Sequence, residues 1–495
     1  MKRAFALVAV IISSYSLYAQ TMRVNIGNVT YAIPASQAGE MLYDAGKTLT
    51  IGEKTYNLTD ISNITIDATS VADNTVDVTY SESSAKVVIS GNLAPYINAK
   101  VNGAHVAIEA NPTLAQQVTY TLSGTSSNGS FYMSGDYAIE VVLNNLSIHN
   151  PDSAAINLQD GKLIGITLPA GTSSSLSDGL TSVADDGSDT HKAAFYADGH
   201  TSWSGSGTLS ITGNVKHAFS GDEYMLLNEG FGTLTISGAL GDGLNINQYF
   251  KMLDGTVNIT SAGDGIDVGK KKTDKTDNGM LTISGGTLTV NTTGNSTKAL
   301  KCESDMVVTG GTTTATATGS ATYDATNTAD PISSNAAAKC DGKFTMTGGN
   351  LTLTSTGSGG KGLNSTGDIT VSGGTLTVVT TGTTYVAPNN DDTKPQAVKS
   401  DGNITLSGGS VLSCASINSG NPFKTSALVY TNGATVMGIG NKSVTPSTSS
   451  TCKYKNYSGV NITGGSTVSY DGVSFTIPSI YSINGAKILV SSPSM

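Results

Sequence analysis

The chain has 495 residues, with 37 acidic and 27 basic side chains and a formal net charge of −10. Such a balance repels nucleic acid and anionic lipid and favours cations or neutral sugars as partners. The 58 glycines and 13% charged residues are unusual for an ordinary globule and point to internal repeats.

Lys2 and Arg3, the apolar run from Ala4 to Ile12 and the small residue Ala19 follow the order of an export signal. Residues 1–19 are therefore expected to be removed, leaving a mature chain that begins at Gln20 and is exported to the cell surface or the medium. The run is too short to span a bilayer, and no later segment is long and apolar enough, so no membrane insertion is expected. Beyond this leader Arg23 is the single arginine, which leaves no guanidinium clamp for phosphate or carboxylate.

Residues 20–67 read as a small amino-terminal β region, with hairpin-like strands such as Lys47 to Thr55 and Tyr56 to Ile66. Residues 68–145 alternate in strand fashion and are expected to lead into a repeat region and cap its open end. From 146 to 470 a phrase recurs: Leu281-Thr-Ile-Ser-Gly-Gly-Thr-Leu288, Met306-Val-Val-Thr-Gly-Gly311, Phe344-Thr-Met-Thr-Gly-Gly-Asn-Leu351, Ile369-Thr-Val-Ser-Gly-Gly-Thr-Leu376 and Ile404-Thr-Leu-Ser-Gly-Gly-Ser-Val411, with a weaker copy at Val460-Asn-Ile-Thr-Gly-Gly465. Each copy is two alternating strands joined at a Gly-Gly corner, where glycine permits both the bend and the close approach of backbones. The first glycines stand at 285, 310, 348, 373 and 408, giving steps of 25, 38, 25 and 35, a basic period with two insertions.

Strands this short cannot stand as separate hairpins, but stacked in register about 4.8 Å apart they share one core. The fold class expected is all-β, a right-handed parallel β-helix or solenoid with one coil per repeat, most simply a monomer. Residues 471–495 are expected to be a tail, since Ile480-Tyr-Ser-Ile-Asn-Gly-Ala-Lys487 resembles the end of a bacterial surface-sorting tail, or equally a terminal strand.

Upstream of each Gly-Gly sits a second recurring element: Asp242-Gly-Leu-Asn245, Asp264-Gly-Ile-Asp267, Lys298-Ala-Leu-Lys301, Ala336-Ala-Ala-Lys339, Lys361-Gly-Leu-Asn364 and Gln396-Ala-Val-Lys399. The small and aliphatic residues mark an inward turn, and the polar ones on either side form two vertical columns. Stacking places Asp242 over Asp264 and Asn245 over Asp267. Carboxylates that close repel unless a cation lies between them, and oxygen donors of this kind suit calcium. The alternative is a ladder of ion pairs, with Lys298 below Asp264 and Lys301 below Asp267, each pair worth under about 1 kcal/mol. Asp186, Asp222 and Asp254 are secondary candidates for a calcium site, with solvated loop acids the favoured alternative.

Trp203, Tyr224 and Tyr249 fall in the same repeats and, with Asn245, are candidate sugar contacts, because flat aromatic faces stack on the apolar faces of sugar rings. Phe195, Phe219 and Phe250 are expected in the core. Cys302 and Cys340 each follow a column lysine, so a disulfide across adjacent coils is expected, and Cys414 with Cys452 would pair by default. No nucleophile motif stands out, and the five His are scattered.

These residues resemble a family of secreted bacterial carbohydrate-binding-domain proteins. The resemblance is carried by Ala154-Ala-Ile-Asn-Leu-Gln-Asp-Gly161 with Leu176-Ser-Asp-Gly179, Gly241-Asp-Gly-Leu-Asn245 with Tyr249-Phe-Lys-Met252, Gly263-Asp-Gly-Ile-Asp267, and the Lys-Ala-Leu-Lys and Gly-Gly repeats. It implies a right-handed parallel β-helix that binds cellulose-like or polygalacturonate chains and calcium, similar in fold to calcium-dependent pectate lyases. By that resemblance Asp242, Asp264 and Asp267 are candidate metal ligands, and Lys298 or Lys301 a candidate base. His217 and Ser220 stand where a further acidic turn would sit, and one mature arginine leaves little to neutralise uronates. Non-catalytic polysaccharide binding, assisted by calcium, is therefore the expected function; a calcium-dependent lyase and a structural adhesin are the alternatives.

Overall fold

The computed structural model describes residues 20–44, 46–179, 192–272, 276–416 and 418–495. The expected export signal and Asp186 lie outside the described residues. No helix among those described is long and apolar enough to cross a membrane. The fold is all-β, and two long sheets of 27 and 13 strands carry it.

In the 13-stranded sheet successive strands pair parallel and in register, except for the antiparallel pair Ile97–Asn102 with Ala104–Ala110 at its amino-terminal end. Leu244 pairs with Ile266, Ile266 with Leu300, Leu300 with Ala338, Ala338 with Leu363, Leu363 with Val398 and Val398 with Phe423. Each partner lies one repeat away in sequence, so every position meets its own counterpart. The 27-stranded sheet does the same twice over, once through Leu281, Met306, Phe344, Ile369 and Ile404, and once through Val257, Leu288, Thr313, Leu351, Leu376, Val411 and Val436. The apolar members of these files form one continuous core. Phe195, Phe219 and Phe250 lie in it, as expected.

The Gly-Gly corners divide their labour. A Cβ on the first glycine would collide with a carbonyl oxygen of the preceding repeat, that of Leu253 for Gly285 and that of Thr347 for Gly373. The second glycine turns the chain with positive φ, +73° at Gly286, +74° at Gly311 and +78° at Gly374. One glycine is required by close approach and the other by the left-handed backbone. The two long steps hold inserted hairpins, Thr322–Tyr323 with Ile332–Ser333 and Tyr385–Val386 with Asp392–Thr393.

At the amino-terminal end Thr21–Ile26 pairs antiparallel with Val29–Pro34 and with Asn63–Asp67, while Val29 to Ala32 runs parallel to Val87 to Ser90, so this region extends the long sheet. Parallel stacking already operates within 68–145, where Val118–Ser126 lies between Thr75–Ser81 and Ile139–Asn150. At the other end it stops at Thr435–Gly440, short of the expected 470. The weak phrase at 460–465 belongs instead to Tyr454–Ile462, which pairs antiparallel with Ile483–Ser491. That last strand also pairs antiparallel with Thr435–Gly440 and closes the edge of the long sheet. Ile462, Val473, Ile477, Tyr481, Ile488 and Val490 pack there on Val379, Leu412, Cys414, Met437 and Ile439 in a second core.

The expected disulfides are absent: all four cysteines are free and buried. Cys302 and Cys340 are indeed register partners. Register partners in a parallel sheet point the same way about 4.8 Å apart, whereas a disulfide wants Cβ atoms about 3.8 Å apart. Cys302 Sγ donates instead to the Ser304 carbonyl at 3.4 Å, and Cys340 Sγ to Ser365 Oγ at 3.4 Å. Cys414 lies under the carboxy-terminal cap, while the Cys452 amide bonds to Thr431.

Candidate functional site: a polar file on the short sheet

Register in the 13-stranded sheet puts one side chain per strand into a single file facing away from the core. It runs Tyr132, Asn157, Tyr196, Ser220, Asn245, Asp267, Lys301, Lys339, Asn364, Lys399 and Lys424. The flanking residues, such as Leu300 and Cys302 or Val398 and Ser400, are buried inward, as strand alternation requires. The file changes character along its length, from aromatic and amide groups to one carboxylate and then to lysines.

A second file starts each strand. The Asp264 amide donates to Asp242 Oδ1 at 2.7 Å, and the Lys298 amide donates to Asp264 Oδ1 at 2.7 Å. The Asp242 amide in turn donates to His217 Nδ1 at 2.9 Å. Asp242, Asp264 and Lys298 thus stack as the spacing requires, joined through backbone N–H groups.

Lys301 joins the two files. Its Nζ lies 3.2 Å from Asp264 Oδ2 and 2.8 Å from Asp267 Oδ2, with the three side chains only 27%, 13% and 17% exposed. Burial alone would push the lysine down, but the two carboxylates outweigh it and hold Lys301 above its ordinary value. Burial, reinforced by Asp264 and Asp267, pushes Asp242 up to about 6. Burial raises Asp267 as well, against the pull of Lys301. Lys298 is pushed down by burial; its Nζ donates to the Ser296 carbonyl at 2.6 Å and to Ser333 Oγ at 3.3 Å.

This donor set does not fit calcium as placed. Asp264 and Asp267 converge on an ammonium, and Asp242 spends Oδ1 on a backbone N–H while Oδ2 lies 3.3 Å from Asn245 Nδ2. Among the described residues no three His, Cys, Asp or Glu side chains gather as a metal would need. Of the expected ion-pair ladder, Lys301 with Asp267 forms, whereas Lys298 meets Asp264 through its backbone N–H and Lys301 takes the Asp264 carboxylate in its place.

The aromatic expectations need correction. Trp203 is wholly buried, its ring 5.7 Å from Phe195 and 5.5 Å from Phe219, so it offers no face to a sugar. Its neighbours Ser202 and Ser204 hold the alternate, outward positions of the same strand. Tyr224 and Tyr249 are partly exposed but stack on each other, centroids 4.6 Å apart at 10°, with His200 edge-on to Tyr224 at 4.8 Å. They occupy much of each other's faces, and Tyr249 stands past the corner at Gln248, whose φ is +75°, away from the file that holds Asn245.

Sequence reading missed Tyr132 and Lys424 as members of the file. Tyr196 lies beneath Lys192 at 5.0 Å and donates its hydroxyl to Asp222 Oδ2 at 3.1 Å, while Lys192 pairs with Asp222 Oδ1 at 2.6 Å. Asp222 is therefore an ion-pair partner rather than a solvated loop acid. Asp254 is exposed and held low by the Gly255 and Gly230 amides. Lys399 was legible from its Gln-Ala-Val-Lys turn, but Lys424 follows no copy of that phrase.

Comparison with known proteins agrees with the sugar chemistry of such a surface. Residues 102–382, more than half of the chain, match the family profile described as carbohydrate-binding domain-containing protein. No curated protein matches the chain. A solved structure described as the polysaccharide lyase-like protein from C. thermocellum, gadolinium derivative, is 18% identical with a TM-score of 0.43, covering 56% of this chain and 96% of that one. By the extent of the profile match, this chain belongs to the carbohydrate-binding domain-containing protein family.

Proposed function

We propose that the protein is an exported, monomeric, non-catalytic polysaccharide-binding protein whose repeats wind as a right-handed parallel β-helix. The observation that carries this reading is the unbroken file from Asn245 to Lys424, one polar or charged side chain per strand at about 4.8 Å. An extended glycan lying along the stack meets a fresh polar group at every step. Lys301, Lys339, Lys399 and Lys424 favour an acidic glycan. Lys339 and Lys399 pair with exposed Asp341 at 3.0 Å and Asp401 at 3.1 Å. Such exposed pairs are worth at most about 1 kcal/mol and exchange readily for uronate carboxylates. With Lys301 between the aspartates, binding needs no calcium.

A lyase is the second reading, favoured by the lowered Lys298, since a base must be neutral to take a proton. Lys301 cannot serve, because two carboxylates keep it charged. Retention on immobilised polygalacturonate, with and without chelator, tests binding. Lys339→Ala with Lys399→Ala is expected to weaken retention at least about tenfold at low salt and less at high salt. Equal retention of wild type and variant would remove the file from the binding surface, and ultraviolet-absorbing unsaturated product would turn the reading to the lyase.

A further inference from the structure

Far from the lysine file, at the amino-terminal end of the long sheet, an open cup of about 300 Å³ is lined by hydroxyls, one imidazole and one carboxylate. Its wall is a pair of adjacent strands, where Ser147 Oγ meets Ser175 Oγ at 2.8 Å and His149 Nδ1 meets Ser177 Oγ at 2.9 Å. Its carboxylate is Glu82, at the two-residue turn between Thr75–Ser81 and Ser84–Ser90.

Glu82 adopts φ +51°, the left-handed region, in a place where such turns normally carry glycine or asparagine. It is held there at both backbone ends: its N–H donates to the Thr125 carbonyl at 2.8 Å, and its carbonyl accepts from Ser126 Oγ at 2.6 Å. The carboxylate itself takes one long bond from Thr125 Oγ1 at 3.4 Å and is otherwise open to the cup. A glycine would satisfy the same backbone bonds without strain. The turn therefore keeps a carboxylate at a conformational cost, as sites of function do.

The lining chemistry narrows the ligand. An anion is disfavoured by Glu82, and a metal ion finds a single carboxylate. Hydroxyl groups suit donors and acceptors of their own kind, and a carboxylate accepts two O–H bonds at once. We propose that this cup binds one neutral sugar unit, Glu82 accepting from two vicinal hydroxyls while His149 and the serines orient the ring. The site extends the polysaccharide reading to a second face, and takes from that reading the class of ligand alone.

Calorimetric titration of the mature chain with the methyl glycosides of glucose, galactose, mannose and xylose tests it. At least one is expected to bind, and Glu82→Gln to weaken that binding at least about tenfold. Glu82→Gly is expected to abolish binding and yet melt higher than wild type, because the strain is relieved; a purely structural Glu82 would melt lower on loss of its side chain. No binding by any of the four glycosides, binding unchanged in Glu82→Gly, or a lowered melting temperature in that variant would each overturn the proposal. Polygalacturonate retention in the Glu82 variants reports separately on the lysine file, so the failure of one site is not read as failure of the other.

Discussion

Lys301→Met removes the one ammonium that Asp264 and Asp267 share, at 3.2 and 2.8 Å, and keeps the volume of the side chain. Removing one partner of a fully buried pair costs about 3–5 kcal/mol, and of an exposed one about 0–1 kcal/mol. Exposures of 13–27% place this cluster between the limits, so a loss of about 2–3 kcal/mol is expected. Because repeats unfold locally, amide hydrogen exchange in Ile266–Gly269 and Lys298–Cys302 is the proper measure, with a global melt as support. The carboxylates left behind then present an uncompensated site, so millimolar calcium is expected to restore the variant. At a hundredfold excess over its dissociation constant, calcium would return about 2.7 kcal/mol. Wild type is expected to ignore both calcium and chelator. A wild type that loses protection on chelation, or a variant as stable as wild type in chelator alone, would refute the reasoning that Lys301 is the resident cation.

Asp242 titrates at about 6 in the fold, above the ordinary carboxylate value of 3.8. The folded state therefore holds its proton more tightly, and stability falls as pH rises from about 4 to 6, then stays level. Asp242→Asn is expected to flatten that part of a pH series of melts and to gain about 1–2 kcal/mol at neutral pH. At the corners Gly373→Ala forces a Cβ into the Thr347 carbonyl and is expected to cost about 3 kcal/mol, while Gly230→Ala, with φ +72° and open space around it, costs only about 1–2 kcal/mol. Thermal melts of the two variants rank them. Alkylation of the protein, denatured without reductant, is expected to label all four cysteines, each read by mass.

Much of the site was legible because a parallel stack repeats its own register. The Gly-Gly phrase, its period and its insertions announced stacked strands, and the lysine before Cys302 and the lysine before Cys340 announced that Lys301 and Lys339 share a file. The phrase at 460–465 misled, since Gly-Gly also serves a turn in an antiparallel cap. The outer face of the long sheet carried a clue to that cap: threonine at 352 and 377 gives way in register to Leu412 and Met437, where the terminal segment covers the sheet.

The sequence by itself determined that the chain is a stack, which residues are vertical neighbours, and that acids and lysines meet at Asp242, Asp264, Asp267 and Lys301. Backbone hydrogen bonding between equivalent positions of successive repeats fixes those neighbours, whatever the side chains do. Only the tertiary structure decided that a lysine stands between the carboxylates, that Trp203 points inward, that Tyr224 and Tyr249 cover each other, and that neighbouring cysteines stay apart. Those outcomes turn on differences of an ångström or two in how far a side chain reaches and which way its Cβ points, and neither is written in the spacing of a repeat.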